Sequence, residues 1–193
     1  MPKTKSNRKN KKKTRRGGSK QYKNGNVINL NEKFNSVNFF RKYGTSIVEH
    51  KIGSILQENP HPNIVKIYRI TDKYIDIEEV KPTIFMNTTD KKKLVAAADS
   101  AKRHLQNLGI MYIDWKPDNM GIGADGKYKL FDFDASGITT SNTKKWQIKP
   151  SDYWSYRQAL ANGLTDPKAI DDFAFEINFV QENYKPINNS EIS

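Results

Sequence analysis

Residues 110–137 read IMYIDWKPDNMGIGADGKYKLFDFDASG, and the centre of that stretch, Ala124-Asp125-Gly126-Lys127, carries an Asp-Gly pair, the strongest short hairpin signal in a sequence. Strand-like residues flank it on both sides. With Asp125 and Gly126 as the two loop residues, cross-strand partners are symmetric about the peptide between them, and Asn119 stands opposite Asp132. Such neighbours lie about 4.5–5.5 Å apart at Cβ. An amide oxygen and a carboxylate converging from two strands are hard ligands suited to Mg²⁺. Asp114, five residues before Asn119, adds a candidate base, and Lys116 between them is placed to meet a negatively charged group such as a phosphate. Two carboxylates, an amide and a lysine near one metal suggest phosphoryl transfer, where catalysis is largely positioning and charge neutralisation. Any one of these residues alone would read as a solvated polar group; the set at this spacing favours a site.

Around this segment lies a chain of 193 residues with 33 Lys and Arg, 21 Asp and Glu, and 36% apolar residues, which suits one modest globular domain joined to something strongly basic. Met1 to Lys23 holds 11 Lys or Arg and no acidic residue, leaving the remainder nearly neutral at 22 basic against 21 acidic. The stretch PKTKSNRKNKKKTRRGGSK can bury no core, so residues 1–23 are expected to form a disordered basic arm. Its positive charge, over residues 3–23, suits nucleic acid or another polyanion, each neutralised phosphate of duplex DNA adding about 0.9 to the salt slope; a solubilising or localisation tail fits the composition equally well. The arm has no apolar h-region, so a secretory signal peptide is not expected. Absence of cysteine excludes a disulfide framework and a Cys-based zinc site and favours an intracellular setting. No apolar run approaches the roughly 20 residues of a membrane span, so none is expected.

Between arm and site, Val27 to Phe40 suggests one or two short strands, the clearer being Ser36–Phe40. A helix follows, capped by Thr45 or Ser46, with Ile47, Ile52, Ile55 and Leu56 in partial helical periodicity and Pro60 and Pro62 as stops. Strands are expected over Asn63–Ile70 and Tyr74–Glu78, the second ended by Lys81-Pro82. The strongest helix pattern spans Asp90 to Leu108, with Leu94, Val95, Ala97, Ala98, Ala101, Leu105 and Leu108 in one stripe, Thr88, Thr89 or Asp90 as cap and Gly109 as closure. Strands and a helix first, longer helices later, argue for an α+β arrangement.

Tyr112-Ile113-Asp114-Trp115-Lys116-Pro117-Asp118-Asn119 resembles the catalytic loop H-R-D-x-x-x-x-N of protein kinases, and Asp132-Phe133-Asp134 resembles their D-F-G. The resemblance implies ATP and Mg²⁺ as cofactors, Asp114 as base, Asn119 and Asp132 as magnesium ligands and Lys116 as a contact to the transferred phosphate. Lys-Pro after the aspartate is more similar to Ser/Thr than to tyrosine kinases, so the implied substrate is a protein hydroxyl. His61–Val65 resembles the segment after helix C, and Glu78-Glu79-Val80 the hinge that receives adenine. Asp90–Leu108 is similar to helix E. Ala169–Glu176 is similar to the start of helix F, whose bracing aspartate is Asp171 or Asp172. The implied fold is a two-lobed α+β kinase domain over residues 24–182: a minimal sheet lobe at about 24–80, a truncated helical lobe at about 81–182 ending near helix F, then a polar tail, 183–193.

Departures from the pattern bear on mechanism. No G-x-G-x-x-G occurs; Asn24-Gly25-Asn26 is a poor substitute, implying weaker backbone cradling of phosphates. The phosphate-binding lysine is read as Lys42, with Lys33 as fallback, because Lys42 lies only seven residues before Glu49, the implied helix C glutamate. Glu49 also fits a capping box with Ser46. Tyr112 replaces the usual His, and Ile113 replaces the Arg that pairs with a phosphorylated loop, implying activity without that phosphorylation. Asp134 in place of Gly adds a carboxylate beside Asp132. Thr139, Thr140, Ser141 and Thr143 are phosphoacceptors or a plain polar loop. A pseudokinase acting as a binding or structural module is the alternative function, and small-molecule phosphotransfer a third. The compact size and basic tail also resemble reduced kinases of large DNA viruses, which would place the protein in host cytoplasm or the virion.

Overall fold

The computed structural model describes residues 20–22, 25–29, 38–83, 90–140 and 145–180. Lys20–Tyr22 (β1), Gly25–Asn29 (β2), Asn38–Tyr43 (β3), Ile67–Ile70 (β4) and Tyr74–Glu78 (β5) form an antiparallel sheet in the order β1-β2-β3-β5-β4. Phe39 stands opposite Glu78 and Lys42 opposite Ile75, so alternation along β3 sends Phe39 into the core. Lys20–Tyr22 were expected within the basic arm; backbone pairing with Val27, Asn26 and Gly25 draws them into the sheet. Residues 1–19, Lys33, Ser36, Val37, Thr88, Thr89, Ser141, Thr143 and the tail 183–193 lie outside the described residues.

Ile47–Glu58 (α1) starts at Ser46, whose hydroxyl accepts from the Glu49 N–H at 3.1 Å, a cap worth about 1 kcal/mol. It buries Ile52, Gly53 and Leu56. Ile47, counted with them in the apolar stripe, is 76% exposed; five residues place it about 140° round the axis from Ile52. The strand expected over Asn63–Ile70 is shorter at its start, because Asn63 to Val65 bond elsewhere: Leu130 N–H donates to Asn63 O (2.9 Å) and Val65 N–H to Leu130 O (3.0 Å).

Lys81–Pro82 (β6) leads to Lys91–Asn107 (α2), capped by Asp90, whose carboxylate accepts from Lys93 N–H at 3.2 Å. Leu94, Ala97, Ala98, Ala101 and Leu105 are buried as the stripe requires, each leucine contributing about 1.5–3 kcal/mol by burial. Gly109 takes φ +74 and ends the helix. Ile110–Met111 (β7), Gly137–Thr139 (β10) and Trp146–Ile148 (β11) form a sheet in the order β11-β10-β7, while Met120–Ile122 (β8) and Tyr128–Leu130 (β9) pair beside β6. Trp154–Ala161 (α3) and Pro167–Phe175 (α4) follow, α4 running into a π-helical turn at Glu176–Val180.

The hairpin forms, but its register differs by one residue from the expectation. Met120 pairs with Leu130, Gly121 with Lys129 and Ile122 with Tyr128. Gly126 N–H donates to Gly123 O at 3.0 Å, and Gly126 has φ +76. The loop is therefore Ala124, Asp125 and Gly126, a three-residue turn whose last residue is left-handed, a form that an Asp-Gly pair serves as well as the two-residue turn. Asn119 consequently faces Phe131, whose N–H donates to Asn119 O at 3.0 Å, and Asp132 lies one residue past the ladder.

Candidate active site

Asp114, Lys116 and Asn119 converge through the loop between β7 and β8. Lys116 Nζ lies 2.7 Å from Asp114 Oδ2, and Asn119 Nδ2 donates to the same oxygen at 2.8 Å and to Asp114 O at 3.0 Å. The amide nitrogen is thereby assigned, turning Asn119 Oδ1 away from Asp114. Burial acts to lower the Lys116 ammonium pKa, and Asp114 outweighs it, so the pKa is raised. Lys116 Nζ also sits 5.9 Å from the centre of the Tyr153 ring, an exposed aromatic at the start of α3 that no local sequence pattern marked.

The loop is held by one carboxylate. Ile113 has φ +68, a conformation strained by about 1–3 kcal/mol for a β-branched residue. Its N–H donates to Asp171 Oδ1 at 3.0 Å, and Trp115 Nε1 donates to the same oxygen at 2.7 Å. Gln106 Nε2 donates to Asp171 Oδ2 at 2.8 Å. Of the two aspartates the sequence left open as the brace, Asp171 makes these contacts from the buried face of α4. Burial raises its pKa against those three hydrogen bonds. Asp172 faces outward to Lys102 and Lys168; burial acts to raise its pKa, and hydrogen bonds from Gln106, Lys102 and Lys168 win, holding it at about 2. Tyr112, in the place of a histidine, is fully buried, donates to Phe131 O at 2.6 Å and packs edge-on against Phe133.

Lys42 connects this region to the five-stranded sheet. Its Nζ lies 2.7 Å from Glu49 Oε1 and 2.6 Å from Asp132 Oδ1. The seven-residue interval to Glu49 is spanned because Gly44, at φ +67, turns the chain and α1 begins at Ile47, setting Glu49 in its first turn. Glu49 N–H serves the Ser46 cap while its carboxylate takes Lys42, leaving Glu49 Oε2 buried without a hydrogen-bond partner. Burial acts to lower the Lys42 pKa, and Glu49 and Asp132 outweigh it, so it is raised. Burial also raises Glu49, with Lys42 opposing. Asp132 itself has φ +66, and its carboxylate reaches the Lys42 ammonium. Asp134 is raised by burial and then by the neighbouring Asp132.

Glu79 and Val80 stand apart from the Lys42 network, in the connection from β5 to β6, where Val80 packs against the core and closely approaches Gly121. Thr83, directly after β6, donates its Oγ1 hydroxyl to Pro117 O at 2.6 Å. Among the described residues, Lys42, Glu49 and Asp132 form one cluster and Asp114, Lys116 and Asn119 another, bridged by the backbone hydrogen bond from Phe131 to Asn119 and the peptide link from Phe131 to Asp132.

No family model matches the chain. Over 105 residues it is 32% identical to cGMP-dependent protein kinase 2 of Rattus norvegicus, an alignment taking in 48% of this chain and 14% of that protein. Over 105 residues it is 30% identical to putative ribosomal protein S6 kinase alpha-1 of Caenorhabditis elegans, covering 48% of this chain and 13% of that protein. The chain thus spans about one seventh of the length of these curated relatives. Across about half of its length, this chain is similar to protein kinases.

Proposed function

We propose that this chain catalyses magnesium-dependent transfer of the γ-phosphoryl group of ATP to Ser or Thr hydroxyls of a protein. The observation that supports it most is the Lys42 ammonium bonded to both Glu49 and Asp132, which sets a cation beside the candidate metal ligands. Lys42 would meet the α and β phosphates, and the Glu79–Val80 backbone the adenine. Asn119 Oδ1 and the Asp132 carboxylate, with Asp134 adjacent, are hard oxygen donors that fit Mg²⁺. Among the described residues no three His, Cys, Asp or Glu gather at metal-binding spacing; few protein ligands suit a cation that shares its shell with phosphates and water. Bound there, magnesium would neutralise charge on the transferred group.

Asp114 offers Oδ1, the oxygen that Lys116 and Asn119 do not engage, to accept the proton of the attacking hydroxyl. Lys116, beside it, would contact the phosphoryl group in transit. Asp171 and Tyr112 set the loop from the buried side, so Asp114 takes its position without a phosphorylated loop residue. The absence of a glycine-rich phosphate loop implies weak nucleotide affinity.

Labelled phosphate transfer from ATP and magnesium to generic basic proteins and to the chain itself tests the proposal, comparing wild type with Asp114→Asn. Incorporation by the wild type alone is expected. Incorporation by both would remove Asp114 from its role, and binding of ATP with no incorporation by either would favour a pseudokinase acting as a binding module.

A further inference from the structure

Lys129 is the only Lys or Arg buried among the described residues, with 1% of its surface exposed, and it takes no part in the site above. Its Nζ lies 2.9 Å from each Glu78 carboxylate oxygen and 3.2 Å from Asp125 Oδ2. Glu78 Oε2 also accepts from Lys66 N–H at 3.2 Å, and Asp125 Oδ1 from Lys127 N–H at 3.2 Å. Three places in the fold meet at this ammonium: the last residue of β5, the strand β9 and the hairpin loop.

The surrounding backbone is closely fitted. A Cβ on Gly121 would fall 2.6 Å from Val80 Cγ2 and 3.1 Å from Lys81 O. A Cβ on Gly123 would fall 2.6 Å from Lys129 Cε and 2.9 Å from Glu78 Oε1. Val80 of the β5–β6 connection therefore presses onto the hairpin at Gly121, and the Lys129–Glu78 ion pair closes over Gly123. A buried ion pair of this kind often adds little stability over an apolar replacement, because desolvation offsets the attraction. Its distinctive property is directional, since charge-assisted hydrogen bonds fix distance and angle more tightly than apolar packing does.

On one side of Lys129 the chain carries Glu79 and Val80 directly after Glu78; on the other, the hairpin leads from Asn119 into β8 and from β9 to Asp132. We propose that Lys129 is a positioning residue whose ion pairs with Glu78 and Asp125 hold the Glu79–Val80 connection at a fixed height on that hairpin, giving the base end and the phosphate end of a nucleoside triphosphate one common frame. The inference rests on the nucleotide-binding reading above.

The test uses the full chain and four variants: Lys129→Met, Lys129→Arg, Gly123→Ala and the double variant Glu78→Gln/Lys129→Met. Amide exchange over residues 79–83 is followed in the free protein, and KM for ATP and kcat under phosphate transfer. Lys129→Met is expected to raise exchange over 79–83 and KM for ATP about tenfold, with kcat within twofold. Gly123→Ala is expected to move both in the same direction, and Lys129→Arg to stay within threefold of wild type. Should Lys129→Met fail to fold, the double variant decides, since it strands no buried charge. It is expected to recover the melting temperature while exchange and KM remain raised. Return of both to wild-type values with the melting temperature would reduce the ion pairs to a stability role and overturn the proposal. A wild type that neither binds ATP nor transfers phosphate would defeat the nucleotide reading, while exchange over 79–83 would still decide whether Lys129 holds the connection.

Discussion

Asp171→Ala deletes an oxygen that two buried donors share. Ile113 N–H and Trp115 Nε1 both bond Oδ1, at 3.0 and 2.7 Å, and both residues are fully buried, so water cannot replace the lost acceptor. Each stranded donor costs about 1–3 kcal/mol. Gln106 keeps a second acceptor, Asp172 Oδ1, at 2.9 Å, and adds little to the loss. Removing the buried charge works the other way, because burial raises the Asp171 pKa and so disfavours its ionised form in the fold. A net loss of about 3 kcal/mol is expected for alanine. Asparagine retains Oδ1 and turns the Gln106 amide at the loss of its bond to Asp172, so Asp171→Asn should cost about 1 kcal/mol at pH 7. The sign of the pH effect follows from the raised pKa: the carboxyl's contribution is full below its unfolded value of 3.8 and declines as pH rises through the folded value. Wild type should therefore hold its largest advantage over Asp171→Asn near pH 4 and lose it toward neutrality. Urea unfolding of the three proteins between pH 4 and 7, followed by tryptophan fluorescence, measures these differences. Equal destabilisation by alanine and asparagine, or a loss under about 1 kcal/mol for alanine, would refute the argument that shared acceptance at Oδ1 sets the loop.

Arg41 forms a two-point ion pair with the fully buried Asp76, at 2.6 and 2.8 Å, and its guanidinium lies 3.9 Å from the centre of the Tyr74 ring. Arg41→Met leaves the buried Asp76 only a longer ion pair, to Arg69 Nε at 3.9 Å, and should cost about 3 kcal/mol, and Arg41→Met/Asp76→Leu should recover most of it in thermal unfolding. The basic arm, proposed to contact nucleic acid or another polyanion, is tested by deleting residues 1–19, which stops short of β1. Binding of duplex DNA and of heparin should weaken, and its salt dependence flatten, with the melting temperature unchanged; a large fall in melting temperature would give the arm a structural role.

The local signals that proved legible in the sequence were those with a local physical cause. The α1 and α2 caps at Ser46 and Asp90, the stripe from Leu94 to Leu105 and the hairpin each rest on residues close together in the chain. The hairpin register did not, because the same Asp-Gly pair fits a two-residue turn or the end of a three-residue one, and Ala124 gives no sign of which. Asp171 and Asp172 are indistinguishable by type and neighbourhood; only the packing of α4 decides which is buried. Lys129 reads as an ordinary polar position in Tyr128-Lys129-Leu130, and its partner Glu78 lies 51 residues away, so no pattern could have marked it. Within the site, the Lys42–Glu49 spacing read as too short until Gly44 supplied the turn.

Exposed loop tips are where chains ordinarily gain and lose residues with least harm. The tip at Ala124–Gly126 is exposed, yet loss of one residue there would offset β8 against β9 by one position, and because side chains alternate across a sheet, Lys129 and Leu130 would exchange sides. An aliphatic side chain would then replace the ammonium between Glu78 and Asp125, and a charge would enter the apolar interior. A surface turn outside both side-chain clusters of the candidate site is thus constrained in length far more than in composition, and an affinity tag or fluorescent reporter placed there is safe only if the pairing of Gly121 with Lys129 survives it.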